Sequence, residues 1–147
     1  ARAIPAALIR SERGAELVEM ALVMPILLLL VMGIVDFGFL FQRYVVLTNA
    51  AVEGARVATM PGYNDADAEA RVQAYATTGG VPGAVTAVAT SVALPGTGGG
   101  TWPGVEMTVT HVYTLQYISP LIGLVGGDSS VTLTARATMR RQIAGGS

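Results

Sequence analysis

The stretch that decides the fold reads Gly-Ala-Glu-Leu-Val-Glu at residues 14–19 and leads directly into an apolar run at residues 20–41. This run carries no charge until Asp36, and Phe37 then resumes it. A membrane-spanning helix needs roughly 20 mostly apolar residues, so the run predicts one such helix. Glu19 stands at the edge of the run, where a carboxylate is costly and is usually kept for a partner. The sequence therefore predicts a membrane helix that does more than anchor the chain.

The composition agrees with a membrane-tethered protein. Of the 147 residues, 52% are hydrophobic and only 13% are charged, which is charge-poor beside ordinary soluble domains. The residues left after one membrane helix suffice for one small domain. A net charge of -1 predicts no nucleic-acid partner. The absence of cysteine excludes disulfides and thiolate metal sites.

The residues before the apolar run are basic. Residues 1–14 contain Arg2, Arg10 and Arg13 against a single acid, Glu12, and positive charge beside a membrane helix predicts that this end stays in the cytoplasm. The alternative is a secretory signal peptide. The apolar run, however, exceeds the usual 7–15 residues of a signal peptide, and no convincing cleavage site follows it. We expect a short cytoplasmic leader at residues 1–14.

The helix is predicted to continue far beyond the membrane. Pro25 lacks an N–H group and crowds the preceding turn, so we expect a kink there. An amphipathic pattern then continues to a stop at residues 60–62, Met-Pro-Gly. A helix over residues 15–60 is about 70 Å long, whereas the bilayer core is about 30 Å thick. We therefore expect a membrane helix at residues 15–41 and an exterior domain at residues 42–147.

A second, shorter helix is predicted at residues 64–78. Asn64 or Asp65 can cap its N-terminus, and Gly79 begins its end. The spacing of Asp65, Asp67 and Glu69 also suggests calcium. An EF-hand loop counted from Asp65 needs glycine at position 70 and glutamate at position 76, and both positions hold alanine. We interpret these acids as helix-capping residues and predict no metal site.

The rest of the chain is predicted to form strands at residues 84–94, 105–117 and 131–141, with a Gly-rich loop at 95–104. The last two alternate clearly between apolar and polar residues. Three strands with one apolar face each predict a small antiparallel sheet packed on the distal half of the long helix, an α+β fold. The link at residues 118–130 is too apolar for an ordinary surface loop, so it is either tucked under or a contact patch.

Catalysis finds little support in the sequence. His111 falls on the apolar side of its strand with no evident acid beside it, so we expect a packed histidine. Trp102 is expected to clasp the edge of its own sheet. No nucleophile motif, metal-ligand cluster or phosphate-binding loop is present. We predict no catalytic residue and no cofactor.

Four stretches resemble one known family. Residues 14–25 (GAELVEMALVMP), 33–38 (GIVDFG) and 49–56 (NAAVEGAR) are similar to the N-terminal part of TadE-like proteins. The last predicted strand, residues 131–141, which ends in ATMRR at 137–141, resembles their C-terminal strand. Met20 departs from the family, in which Phe or Tyr is commoner after the glutamate. The glycine followed by Glu19 also resembles the signal of type IV pilins.

This resemblance implies a role in assembly. TadE-like proteins are similar to minor pilins or pseudopilins of the tight-adherence (Tad/Flp) pilus. A prepilin peptidase is then expected to cut after Gly14 and free the amine of Ala15. Glu19 of one subunit can neutralise the Ala15 ammonium of a neighbouring pilin or pseudopilin subunit.

The resemblance also implies a location. The protein is expected to cross the bacterial inner membrane once, in contact with membrane lipid, with its exterior domain in the periplasm or on a surface pilus. The alternative is a single-pass membrane-anchored module that binds a ligand outside the membrane and needs neither cleavage nor assembly.

Overall fold

The computed structural model describes residues 10–142. Three helices and three strands follow one another along the chain, in the order α1, α2, β1, β2, α3 and β3. Their bounds are α1 Arg10–Ala58, α2 Asp65–Thr78, β1 Thr86–Pro95, β2 Thr101–Thr114, α3 Ser119–Leu124 and β3 Ser130–Arg140. The predicted α+β class is confirmed, and α3 is an addition to it.

Helix α1 is a single helix of 49 residues, about 73 Å long. It begins at Arg10, earlier than the predicted residue 15, and ends at Ala58, slightly before residue 60. At its end the N–H groups of Thr59 and Met60 bond to carbonyls three residues back. This tighter turn comes just before Pro61, because a residue that precedes proline is disfavoured in helical geometry. Pro25 lies inside α1.

Helix α2 has the predicted cap. The Asn64 side chain accepts from the N–H of Asp67 at 2.9 Å, and the Asp67 carboxylate accepts from the N–H of Asn64 at 3.0 Å. The two bonds form a reciprocal capping box. Asp67 is thus a capping acid, as interpreted from the sequence. Its neighbour Asp65 lies 3.4 Å from the guanidinium of Arg141.

The three strands form one antiparallel sheet in the order β1-β2-β3. In its middle, Val109 lies opposite Ala87 on one side and Ala135 on the other. The predicted alternation is confirmed, since the odd-numbered residues of β2 from Val105 to Tyr113 are buried and the even-numbered ones are more exposed. Strand β2 begins earlier than predicted, at Thr101, and ends at Thr114 instead of residue 117.

The apolar face of the sheet packs on the distal half of α1, mainly through β2 and β3. Helix α2 packs beside α1 and over β1. The core between these layers combines Leu47 and several alanines of α1, small side chains of α2 and larger side chains of the sheet. Its fully buried members are Leu47, Ala50, Ala51, Ala55, Ala68, Val72, Ala76, Met107 and Val109.

Candidate functional site

The N-terminal half of α1 is uncovered by the rest of the described chain. Every side chain from residue 14 to residue 31 is exposed. Among residues 14–142, α1 contains the one stretch long and apolar enough to cross a membrane, with a mean hydropathy of 2.6 and none of that stretch buried. Lipid can cover this apolar surface without any contribution from the exterior domain.

The residues of the predicted processing site lie at the start of this exposed half. Gly14, Ala15 and Glu19 are all within α1, so the peptide bond between Gly14 and Ala15 is helical. A Cβ atom added to Gly14 would have open space around it. Most of the predicted leader, residues 1–9, lies outside the described residues. Ala15 and Glu19 are four residues apart and therefore share one face of the helix.

Asp36 joins the apolar half of α1 to the chain that follows β2. Its side chain is 1% exposed and accepts hydrogen bonds from three successive backbone N–H groups. Oδ1 accepts from Gln116 at 2.9 Å and from Tyr117 at 3.2 Å. Oδ2 accepts from Tyr117 at 3.0 Å and from Ile118 at 2.8 Å. Such charge-assisted bonds are about twice as strong as neutral ones.

This contact explains why β2 ends early. The amides of Gln116 and Tyr117 bond to a carboxylate of α1, so they cannot serve as donors to β3. The chain turns out of the sheet after Thr114, and Leu115 makes a last bond to the carbonyl of Ser129 at 2.9 Å. The short helix α3 follows directly. Contacts between α1 and the exterior domain therefore begin before residue 42.

Aromatic and basic side chains surround the buried carboxylate. Tyr113 is 1% exposed, and the guanidinium carbon of Arg43 lies 4.3 Å from the centre of its ring. Burial and the neighbouring Asp36 carboxylate raise the pKa of Tyr113. The phenol therefore stays neutral, and Asp36 does not face a second anion. On the outer side, the rings of Phe39 and Tyr117 stack with centroids 6.2 Å apart.

Further along α1, Gly54 permits a close approach between α1 and α2. A Cβ atom on Gly54 would lie 2.3 Å from Cγ2 of Val72 and 3.2 Å from two atoms of Met107. Gly54 is buried, as are Ala51 and Ala55 beside it. These small residues let α2 and the sheet approach α1 closely, so most of the core is formed by the partners of α1.

The sequence reasoning missed the role of Asp36, which it treated as an interruption of an apolar run. A usable signal was present. Asp36, Leu40, Arg43 and Leu47 recur every three or four residues, which is the spacing of one helix face. All four are buried or half-buried. An acid on a buried stripe needs donors, and that requirement could have predicted a contact with the exterior domain.

His111 and Trp102 both pack within the protein, in agreement with the sequence. His111 is 7% exposed on the inward face of β2, as the sequence predicted. Trp102 lies opposite Leu94 in the β1–β2 hairpin, and the guanidinium carbon of Arg140 sits 3.7 Å from the centre of its ring. Trp102 thus packs on its own sheet, as expected. Within residues 14–142, no group of His, Asp and Glu side chains could hold a metal ion.

These features define a class of protein in which one long helix, apolar enough to cross a membrane, continues into a small α+β domain latched to it by Asp36. The family model described as TadE-like protein matches residues 14–56. The chain thus carries a TadE-like N-terminal region, and the resemblance seen in the sequence is confirmed there. No curated protein and no solved structure matches the chain.

The matched region contains every α1 residue singled out above, from Gly14 through Asp36 to Gly54. TadE-like proteins are a structural family associated with the Tad pilus. The chain is therefore similar to Tad pilus-associated proteins over residues 14–56, within a helix that is long and apolar enough to span a membrane.

Proposed function

We propose that this protein is a pilin-like subunit that inserts in the bacterial inner membrane and takes part in assembly of a Tad pilus. In this role a prepilin peptidase removes residues 1–14 on the cytoplasmic side. The helix then leaves lipid for a bundle of neighbouring pilin or pseudopilin helices, and the exterior domain remains in the periplasm or on the pilus surface. The protein itself performs no chemical reaction.

The observation that carries the proposal is the uncovered N-terminal half of α1 with Glu19 at its start. The distal half of the same helix is covered by α2 and the sheet. The exposed half has room for helices of other subunits on all sides, as a filament core requires. Asp36 and the core around Gly54 hold the exterior domain against the distal half of α1 only. The apolar half of α1 therefore stays available for contacts with other subunits.

The proposed pairing follows from charge burial. Cleavage after Gly14 creates an ammonium group at Ala15, and Glu19 supplies a carboxylate four residues away along the helix. Between subunits the two charges leave water together. Once buried, an ion pair that loses one partner costs about 3–5 kcal/mol. A subunit out of register with its neighbour lacks this pair, so the pairing selects the correct stacking.

We expect intact-mass measurement of the protein from its native membrane to show a chain that begins at Ala15. Glycine destabilises a helix interior by about 0.5–1 kcal/mol relative to alanine, so Gly14 weakens α1 at the place where the peptidase must reach the backbone. A mature form that still carries residues 1–14, or one cut beyond Phe41, contradicts the pilin-like role. The former result favours the membrane-anchored binding module, which needs no cleavage.

The second experiment tests assembly through Glu19. Glu19→Gln keeps the size of the side chain and removes its charge, and Glu19→Leu also removes its polarity. Either change leaves a neighbour's ammonium without its counter-ion, so we expect this protein to be lost from sheared filaments by about 100-fold or more. Its amount in membranes and the removal of residues 1–14 should stay normal.

Glu16→Gln is the matched control. Glu16 is an exposed acid on the same helix, one turn closer to the N-terminus, and it lacks the spacing of Glu19 from Ala15. We expect Glu16→Gln to enter filaments at the normal level. If Glu19→Gln and Glu19→Leu also enter normally, Glu19 has no pairing role. If all three variants fail alike, general charge at the helix start is what matters.

A further inference from the structure

An apolar surface lies beside the membrane helix at the level of Asp36. It is formed by Leu121, Leu124 and Val125, whose exposed fractions are 41%, 84% and 82%. No charged residue occurs from Ile118 to Gly127. We call these three residues the α3 patch. The chain here leaves the sheet, forms α3 and returns, with its most apolar side chains pointing away from the core.

The contacts of Asp36 fix the height along α1 at which α3 begins. The N–H of Ile118 lies 2.8 Å from Oδ2 of Asp36. The end of the Ile118 side chain lies 4.0 Å from the Cβ position of Gly33, one helical turn nearer the exposed apolar half. Helix α3 therefore starts beside residues 33–36. The α1 side chains at this level, Ile34 and Val35, are still exposed, at 64% and 39%.

A bilayer that covers Ile34 must reach the start of α3. The uncharged stretch of α1 after Glu19, residues 20–35, spans about 24 Å. A hydrocarbon core of about 30 Å that begins at this stretch therefore reaches the level of Asp36 and Ile118. The apolar surface of α1 is thus continuous with the α3 patch across the Gly33–Ile118 contact. Around the same level, the stacked pair Phe39 and Tyr117 presents aromatic rings of the kind that favour the membrane interface.

From this continuity we propose that the α3 patch inserts into the outer interface of the bilayer that α1 crosses, as a second, shallow membrane contact. Lipid at the boundary between headgroups and acyl chains is the occupant. Asp36 positions the patch by holding Ile118, the residue before α3, against α1. This contact sets the depth and tilt of the exterior domain on the membrane. The inference needs α1 to cross a bilayer and does not depend on a role in a pilus.

The experiment uses the full chain in vesicles of phosphatidylethanolamine and phosphatidylglycerol. The protein contains no cysteine, so a single introduced cysteine carries an environment-sensitive fluorophore at one defined site. Leu124→Cys reports on the patch, and Val125→Cys repeats the measurement at the next residue. Both positions are more than four-fifths exposed, so the substitutions leave the core intact. Leu29→Cys, in the apolar half of α1, is the reference for a lipid environment.

Val88→Cys is the control for an exposed apolar site away from the membrane. Val88 is 48% exposed and lies opposite Thr108, six residues or about 20 Å along β2 from the strand end that leads to α3. We expect the Leu124 label to emit several-fold more strongly and at shorter wavelength than the Val88 label. A lipid nitroxide near the headgroups should quench it more than iodide in the buffer does.

Two results overturn the inference. Equal emission and equal iodide quenching at Leu124 and Val88 mean that the patch lies in water. Protection of Leu124 from both quenchers, which disappears when the protein is diluted in lipid, means that a second protein copy covers the patch. Neither result affects leader removal or filament entry, so failure here is distinguishable from failure of the proposed function.

Discussion

Replacing Asp36 by alanine is expected to lower the free energy of unfolding of the exterior domain by about 3 kcal/mol or more. The substitution leaves the N–H groups of Gln116, Tyr117 and Ile118 without their acceptor in a partly buried place. Each unsatisfied buried group costs about 1–3 kcal/mol. Asp36→Asn keeps the shape and one acceptor oxygen, so we expect a smaller loss of about 1–2 kcal/mol.

Urea unfolding of the full chain in detergent, followed by tryptophan fluorescence, measures this loss. Trp102 is the single tryptophan of the protein and lies in the exterior domain, so the membrane helix does not contribute to the signal. Hydrogen exchange adds a local readout, because the amides of residues 116–118 should lose protection in Asp36→Ala. Protection should persist in the distant hairpin between β1 and β2.

Asp65→Asn is the control for loss of an exposed acid. Asp65 lies 3.4 Å from Arg141 with both side chains about half exposed, and such surface pairs contribute about 0–1 kcal/mol. The expected change is therefore below about 1 kcal/mol. If Asp36→Ala is no more destabilising than Asp65→Asn, Asp36 does not latch the exterior domain to α1. Asp36 would then have to be explained as an intramembrane group instead.

The second large effect is expected at Gly54. A Cβ atom there meets Val72 at 2.3 Å, and Val72 cannot easily turn away because a β-branched side chain in a helix has one strongly preferred rotamer. We expect Gly54→Ala to destabilise the exterior domain by about 1–2 kcal/mol, the balance of overpacking against a gain in helix propensity. Gly54→Leu should prevent α2 from docking on α1.

Gly38→Ala is the matched control in the same helix. No atom lies within 4 Å of the Cβ position of Gly38, so the helix gain of about 0.5–1 kcal/mol remains without a clash. Gly38→Ala should therefore raise the free energy of unfolding, whereas Gly54→Ala should lower it. Combining Gly54→Ala with Val72→Ala should cost less than the sum of the two single changes, because the second makes room for the first. If the two losses of stability simply add in the double variant, Gly54 and Val72 do not make this contact.

Much of the fold is predictable because it depends on local patterns. The apolar run of residues 20–35 needs no partner to identify it, since length and lack of charge suffice. The cap of α2 depends on Asn64 and Asp67, which are three residues apart. The faces of β2 follow from its alternation. In each case the residues that carry the information are neighbours in sequence, so their chemistry is visible before folding.

The role of Asp36 could not be predicted in the same way, because its hydrogen-bond donors lie 80 to 82 residues further along the chain. Nothing near Gln116 or Ile118 identifies their amides as donors, since every residue except proline has one. The need for glycine at position 54 could not be predicted either, because it depends on how closely Val72 and Met107 approach that position. In the sequence alone, Asp36 is an interruption of an apolar run and Gly54 is a weak point of a helix.

The sequence by itself determined the long apolar helix, the capped second helix and the two-faced sheet, since these follow from periodicity and composition over a few turns or one strand. Only the tertiary structure decided where the α+β domain joins α1, how closely α2 packs at Gly54, and that the short helix Ser119–Leu124 leaves apolar side chains exposed. The physical reason is that these contacts are made between distant segments. Hydrogen-bond satisfaction and steric fit depend on positions within a few tenths of an ångström, which only the folded chain defines.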